Sequence, residues 1–135
     1  MINASRAQQL VGLNAKVAAA PTFKVHLLKT LIVPTPDTPI ATFTAAEANF
    51  TGYAAKALGA LGTPYIDPVT GAYVAAGIAL DWQMTDALAP NTIYGVFITD
   101  TTSADIEAYE MFATPIPLSV ALQGLQYVPV MAANQ

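Results

Sequence analysis

Cysteine is absent from this chain, which removes disulfide frameworks, thiol nucleophiles and cysteine-ligated zinc sites together. Histidine occurs once, as His26; one imidazole with scattered aspartates cannot supply a clustered set of transition-metal ligands, so neither metal nor cofactor is expected. Charge is scarce as well, at 10% of residues against about 25% in a typical soluble domain. Basic charge is scarcer still. All five cationic residues (Arg6, Lys16, Lys24, Lys29 and Lys56) lie in the first 56 positions, and the remainder carries seven acids with no compensating base. Such a balance excludes the phosphate-neutralising face that nucleic-acid binding requires. Glycine-rich phosphate loops are missing too, because Gly59, Gly62 and Gly71 lack the required spacing.

No charged residue occurs between Met111 and Gln135, yet this stretch does not read as a membrane span. Pro115, Pro117 and Pro129 break it and Gln123 and Gln126 interrupt it, leaving no run of about 20 apolar helix formers. Gln8, Gln9, Asn14 and Lys16 likewise interrupt what would be the apolar region of a signal peptide, so none is expected.

What the chain does contain is apolar surface: 54% of its 135 residues are hydrophobic. One domain of this length buries roughly two-thirds of its unfolded surface, and so few charges cannot cover the rest. Large contiguous apolar patches mark contact with a partner, so an assembly is expected.

The residue pattern predicts a mainly β fold, an antiparallel sandwich or small jelly-roll-like barrel occupying residues 22–135, preceded by an N-terminal helix or arm over residues 1–21. Ser5 and Gln8 are spaced as a capping box, and Pro21 closes the segment. Phe23, Val25 and Leu27 alternate with Lys24 and His26 in a strand that Leu31 to Val33 extends. Pro34, Pro36 and Pro39 force a loop, after which Ile40 to Phe43 resumes pairing. Thr44 and Glu47 are placed to cap a short helix over residues 44–51 that Gly52 ends. Asp67-Pro68-Val69-Thr70-Gly71 is a hairpin turn. Downstream, Ala72 to Met84 alternates as one long strand whose even positions face the core. Thr92 to Thr99 forms another, with Gly95 marking a bulge or a close backbone approach. Ile106 to Phe112 is its hairpin partner across a polar turn, Pro115 and Pro117 mark an edge segment, and Leu125 to Val130 gives the last strand.

Catalytic candidates are few. A Ser-His-Asp arrangement would have to use His26 as its base, but a half-exposed strand position is the simpler reading. Glu107 with Glu110, or Asp81 with Asp86, are the nearest acid pairs for glycoside hydrolysis; on a strand the two glutamates face opposite ways and serve better to blunt a sheet edge. Asp100 and Asp105 lack the regular oxygen pattern of a calcium loop. No catalytic residue is therefore assigned and no enzyme is expected. Tyr73 and Tyr109, opposite the expected core faces, are interface candidates, joined by Arg6, Leu10 and Lys16 of the acid-free N-terminal segment; Trp82 and Tyr94 read as core.

Three segments, FTGYA at 50–54, IYGVFITD at 93–100 and FATPIPLS at 112–119, resemble small virion structural proteins of tailed bacteriophages, the head decoration, cement or fibre-associated subunits. The end of the chain departs from that pattern, with Gln123-Gly124-Leu125 and then Tyr127-Val128-Pro129 in place of a Gly-Asp turn and a Thr/Val strand. The resemblance implies a non-enzymatic particle protein made in the host cytoplasm and located in the virion. It would form a homo-oligomer, by analogy a trimer, that binds the major capsid protein. The alternative it implies is a fibre or receptor-binding module that recognises host-surface glycan.

Overall fold

The computed structural model describes residues 2–102 and 105–133, with side chains from residue 9 onward. The fold is mainly β and antiparallel with an N-terminal helix, the class the alternation predicts. Contacts divide the chain into two compact units, one made of Met1–Phe23, Leu58–Leu80 and Tyr127–Gln135, the other of Lys24–Ala57 and Asp81–Gln126.

In the first unit, helix α1 (Ile2–Ala19) runs into a 3-10 turn, Ala20–Thr22. The helix begins three residues before Ser5, so Ser5 sits inside its first turn and does not cap it; the side chains of Ser5 and Gln8 lie outside the described residues. Pro21 falls in the 3-10 turn, where the Thr22 hydroxyl donates to the Ala19 carbonyl at 2.8 Å. α1 packs on a three-stranded sheet and buries Leu13 completely. That sheet is numbered here with the rest of the chain. Strand β1 (Phe23–Leu28), helix α2 (Ile40–Ala45) and strand β2 (Lys56–Ala57) come first. The sheet itself consists of β3 (Tyr65–Ile66), β4 (Tyr73–Ala76) and β9 (Val130–Ala132), in the order β3-β4-β9. The β3–β4 turn is the predicted one: Gly71 takes φ +71° and the Asp67 carboxylate accepts the Val69 N–H at 2.8 Å.

The second unit holds a four-stranded open sheet in the order β2-β1-β6-β7, where β6 is Asn91–Asp100 and β7 is Ile106–Leu118. It also holds most of a two-stranded ribbon formed by β5 (Leu80–Gln83) and β8 (Gly124–Tyr127). Phe43, Phe97, Leu28 and Ala46 form a fully buried cluster against the sheet, with Ile32, Ile106 and Met111 packed around it. Trp82 is buried and donates its indole N–H to the Ala54 carbonyl at 2.8 Å.

Several local expectations are corrected. Leu31 to Val33 is not strand; it leaves the ladder ahead of the proline loop, and both Leu31 and Val33 are exposed. Ile40 to Phe43 turns helical instead of pairing, because one helical turn after Pro39 drops Phe43 onto Phe97, ring centroids 5.4 Å apart. The short helix thus ends at Ala45, near where Thr44 was expected to start it, and the Thr44 hydroxyl bonds back to the Ile40 carbonyl at 3.1 Å. The long strand 72–84 splits into β4 and β5. Pro129 has no N–H to offer the ladder, and Gly77 leaves the space that its ring occupies: a Cβ on Gly77 would meet Pro129 Cγ at 2.8 Å. Ile78, expected in the core, is therefore 63% exposed. The final strand breaks at the same proline into β8 and β9.

Gly95 does both things expected of it. The β6–β7 register shifts between Ile93 and Gly95, and a Cβ there would collide with the Glu110 carbonyl and approach the Met111 Cα to 3.0 Å. Since backbone cannot rotate away, Gly95→Ala is expected to lower unfolding free energy by at least about 1–3 kcal/mol, as other overpacking substitutions do. Urea denaturation checks this; an unchanged midpoint would contradict the close approach.

Candidate functional site

The densest polar construction lies on β1 and the segment that follows α2. Lys29 N–H donates to the Ala46 carbonyl at 2.8 Å and Ala48 N–H to the Leu27 carbonyl at 2.9 Å, so residues 46–48 lie alongside the end of β1. That pairing carries Glu47 to His26. Glu47 Oε1 lies 2.7 Å from His26 Nδ1 and accepts the Tyr53 hydroxyl at the same distance. The Tyr53 oxygen in turn accepts the Leu27 N–H at 3.2 Å. On the other side of the ring, Nε2 lies 2.9 Å from the Thr99 hydroxyl of β6. The imidazole stacks on Phe97 with centroids 4.5 Å apart and planes 9° from parallel.

A carboxylate can only accept, so the proton between His26 and Glu47 sits on Nδ1. With the ring neutral, Nε2 then accepts the Thr99 hydroxyl. The connectivity is hydroxyl, imidazole, carboxylate, the order found in acyl-transfer triads. Its surroundings favour a clamp. The side chains of His26 and Glu47 are only 15% and 24% exposed, Glu47 is also committed to Tyr53, and Thr99 is a β-branched residue built into a strand between two others. What the arrangement does is tie β1, β6 and the segment 47–53 together through side-chain hydrogen bonds.

His26, expected as a half-exposed strand residue, is thus nearly enclosed and doubly bonded. The enclosure is local, since Lys24 on the same face of β1 is exposed: the Phe97 ring stacks on the imidazole, and Glu47 and Thr99 engage its two nitrogens. Glu47, read from the sequence as a helix cap, and Thr99 are its partners, and Tyr53 joins the network through Glu47.

The interface candidates are scattered. Leu10 and Lys16 are half-buried on α1, and the Arg6 side chain lies outside the described residues. Tyr73 is half-buried on β4 beside Ile66. Tyr109 is 43% exposed on the edge strand β7, its ring 5.8 Å from that of Phe43. Asp100 forms an ordinary turn, its carboxylate accepting the Thr102 N–H and hydroxyl at 2.9 and 2.7 Å. Among the described residues no group of three or more acidic or histidine side chains could hold a metal ion. No described helix is long and apolar enough to cross a membrane.

Burial, and then the hydrogen bond to the Glu47 carboxylate, push the Tyr53 hydroxyl well above the usual tyrosine range. A raised folded-state value contributes stability that is complete below the unfolded value of about 10 and is lost as pH rises beyond it. Tyr53→Phe should therefore cost about 1–3 kcal/mol at neutral pH through the lost hydrogen bonds, and should flatten the decline in stability that the parent protein shows above about pH 10. Thermal melts from pH 8 to 11 on both proteins check this; identical slopes would contradict it.

No protein-family model matches the sequence, and no curated protein or solved structure matches it either.

Proposed function

We propose that this chain is a non-enzymatic structural protein that works as a subunit of a larger protein assembly. The finer reading is a capsid decoration or cement subunit of a tailed-phage particle, self-associating and bound to the major shell protein. One observation carries the coarse reading: among the described residues, large hydrophobic side chains stand in solvent along much of the chain. Val69 is 90% exposed, Val33 88%, Leu88 86%, Val11 and Leu122 70%, and Leu31 64%. A monomer exposes single apolar residues as a matter of course, but a chain with 10% charge has few polar groups to separate them. Burial is worth about 25 cal/mol per Å² of apolar area, so covering such residues against another copy or a neighbouring subunit is favourable. Closed symmetric oligomers are the usual outcome for a surface of this kind.

Sheet edges support the same reading. β7 ends the four-stranded sheet with a long run of 13 residues, and an unpaired edge of that length invites pairing unless something blunts it. Glu107, Glu110, Pro115 and Pro117 lie along it, which points to association through side chains and not through addition of a strand. The virion assignment rests on the three sequence segments that resemble phage structural proteins.

Light scattering on the purified chain should give the mass of a closed oligomer at micromolar concentration. The combined substitution Val33→Asp, Leu88→Asp and Leu122→Asp, at exposed positions, should reduce it to one chain without lowering Tm by more than a few degrees. A parent protein that stays monomeric at every concentration, and does not co-sediment with assembled shells, would overturn the reading.

A further inference from the structure

The β5–β8 ribbon carries a second polar construction, and this one is open. Leu80, Trp82 and Leu125 are buried, so alternation turns Asp81 and Gln83 of β5, with Gly124 and Gln126 of β8, to the opposite, exposed face. These residues line a surface depression of about 480 Å³, within the roughly 300–1,000 Å³ typical of small-molecule sites. Gly124 is one of them, with no side chain of its own. A Cβ there would lie 2.8 Å from the Trp82 carbonyl, so the two strands meet closely only because no side chain intervenes.

The three polar side chains beside that glycine are chemically matched. Gln83 is held in place by donating from Nε2 to the Leu122 carbonyl at 3.0 Å, which keeps its Oε1 and second N–H available. Among the described residues, no side-chain hydrogen bond or ion pair engages the Asp81 carboxylate or the Gln126 amide. The set therefore offers one carboxylate acceptor and two amides that both donate and accept.

We infer that this face binds a neutral polyhydroxylated ligand, a saccharide ring, with adjacent hydroxyls donating to Asp81 and bridging to Gln83 and Gln126 over Gly124. A cation would call for more than one acid, and an anion for a base, which this face lacks. Trp82 and Leu125 also line the depression, but with their side chains buried they offer an apolar ligand no exposed ring or branched chain to cover. A peptide strand would add to an outer backbone edge of this two-stranded ribbon and would leave the side chains on its face unused. The inference does not depend on the assembly reading; either can fail alone.

The test is titration of the 15N-labelled full chain with methyl glycosides of glucose, galactose, mannose and N-acetylglucosamine, with an acetylated tripeptide amide in parallel. At least one glycoside should shift the amides of residues 81–83 and 124–126. Asp81→Asn and Gln126→Ala, both at exposed positions and expected to leave the remaining spectrum unchanged, should each weaken that binding about tenfold, the effect of one lost hydrogen bond. Absence of shifts with every glycoside, shifts confined to other residues, affinity unchanged in both variants, or binding of the tripeptide alone would each overturn the inference.

Discussion

Scarcity of charge is the constraint from which the rest of this molecule follows. With 10% of residues charged, solvation of the surface by lysine and glutamate is limited. Inside the four-stranded sheet, one carboxylate, Glu47, serves two donors and so locks His26 and Tyr53 around the end of β1. Outside, Asp81 and two glutamines share one face of a ribbon. The surface also displays valine, leucine and isoleucine side chains.

A suggestive connectivity is not by itself a catalytic site. Hydroxyl, imidazole and carboxylate stand in the right order, but catalysis also requires room for a substrate and donors aimed at developing charge. The open depression lies on other residues altogether. Polar side chains that satisfy one another inside a sheet fix its pairing and register; polar side chains left facing solvent over a bare glycine are placed for a ligand. That contrast separates the two constructions.

Much of the fold was legible because it is written locally. Alternation revealed β1, β4, β5 and β6, the Asp67 to Gly71 turn declared its hairpin, and Gly95 announced the close approach of β7. What escaped depends on distant partners. Nothing near Ile40 signals a helix, because the reason for it is Phe97, more than fifty residues away. Alternation continues through Gly77 and Ile78, yet the strand stops because Pro129 lies across from it. His26 was singled out alone; Glu47 and Thr99 stand 21 and 73 positions from it, and only the placement of β1 between two neighbours brings them together. Asp81, Gln83 and Gln126 were visible as the polar side of alternating segments, but their convergence required the pairing of β5 with β8.

The central claim is that the exposed apolar side chains are covered in the working state by other protein chains. Hydrogen–deuterium exchange of the intact chain, compared between nanomolar and high-micromolar concentration, tests it most directly. The account predicts that peptides containing Leu31 and Val33, Leu88, or Val120 and Leu122 gain protection as concentration rises, while the buried strands β1 and β6 do not change. Exchange that is the same in every peptide at both concentrations would contradict it.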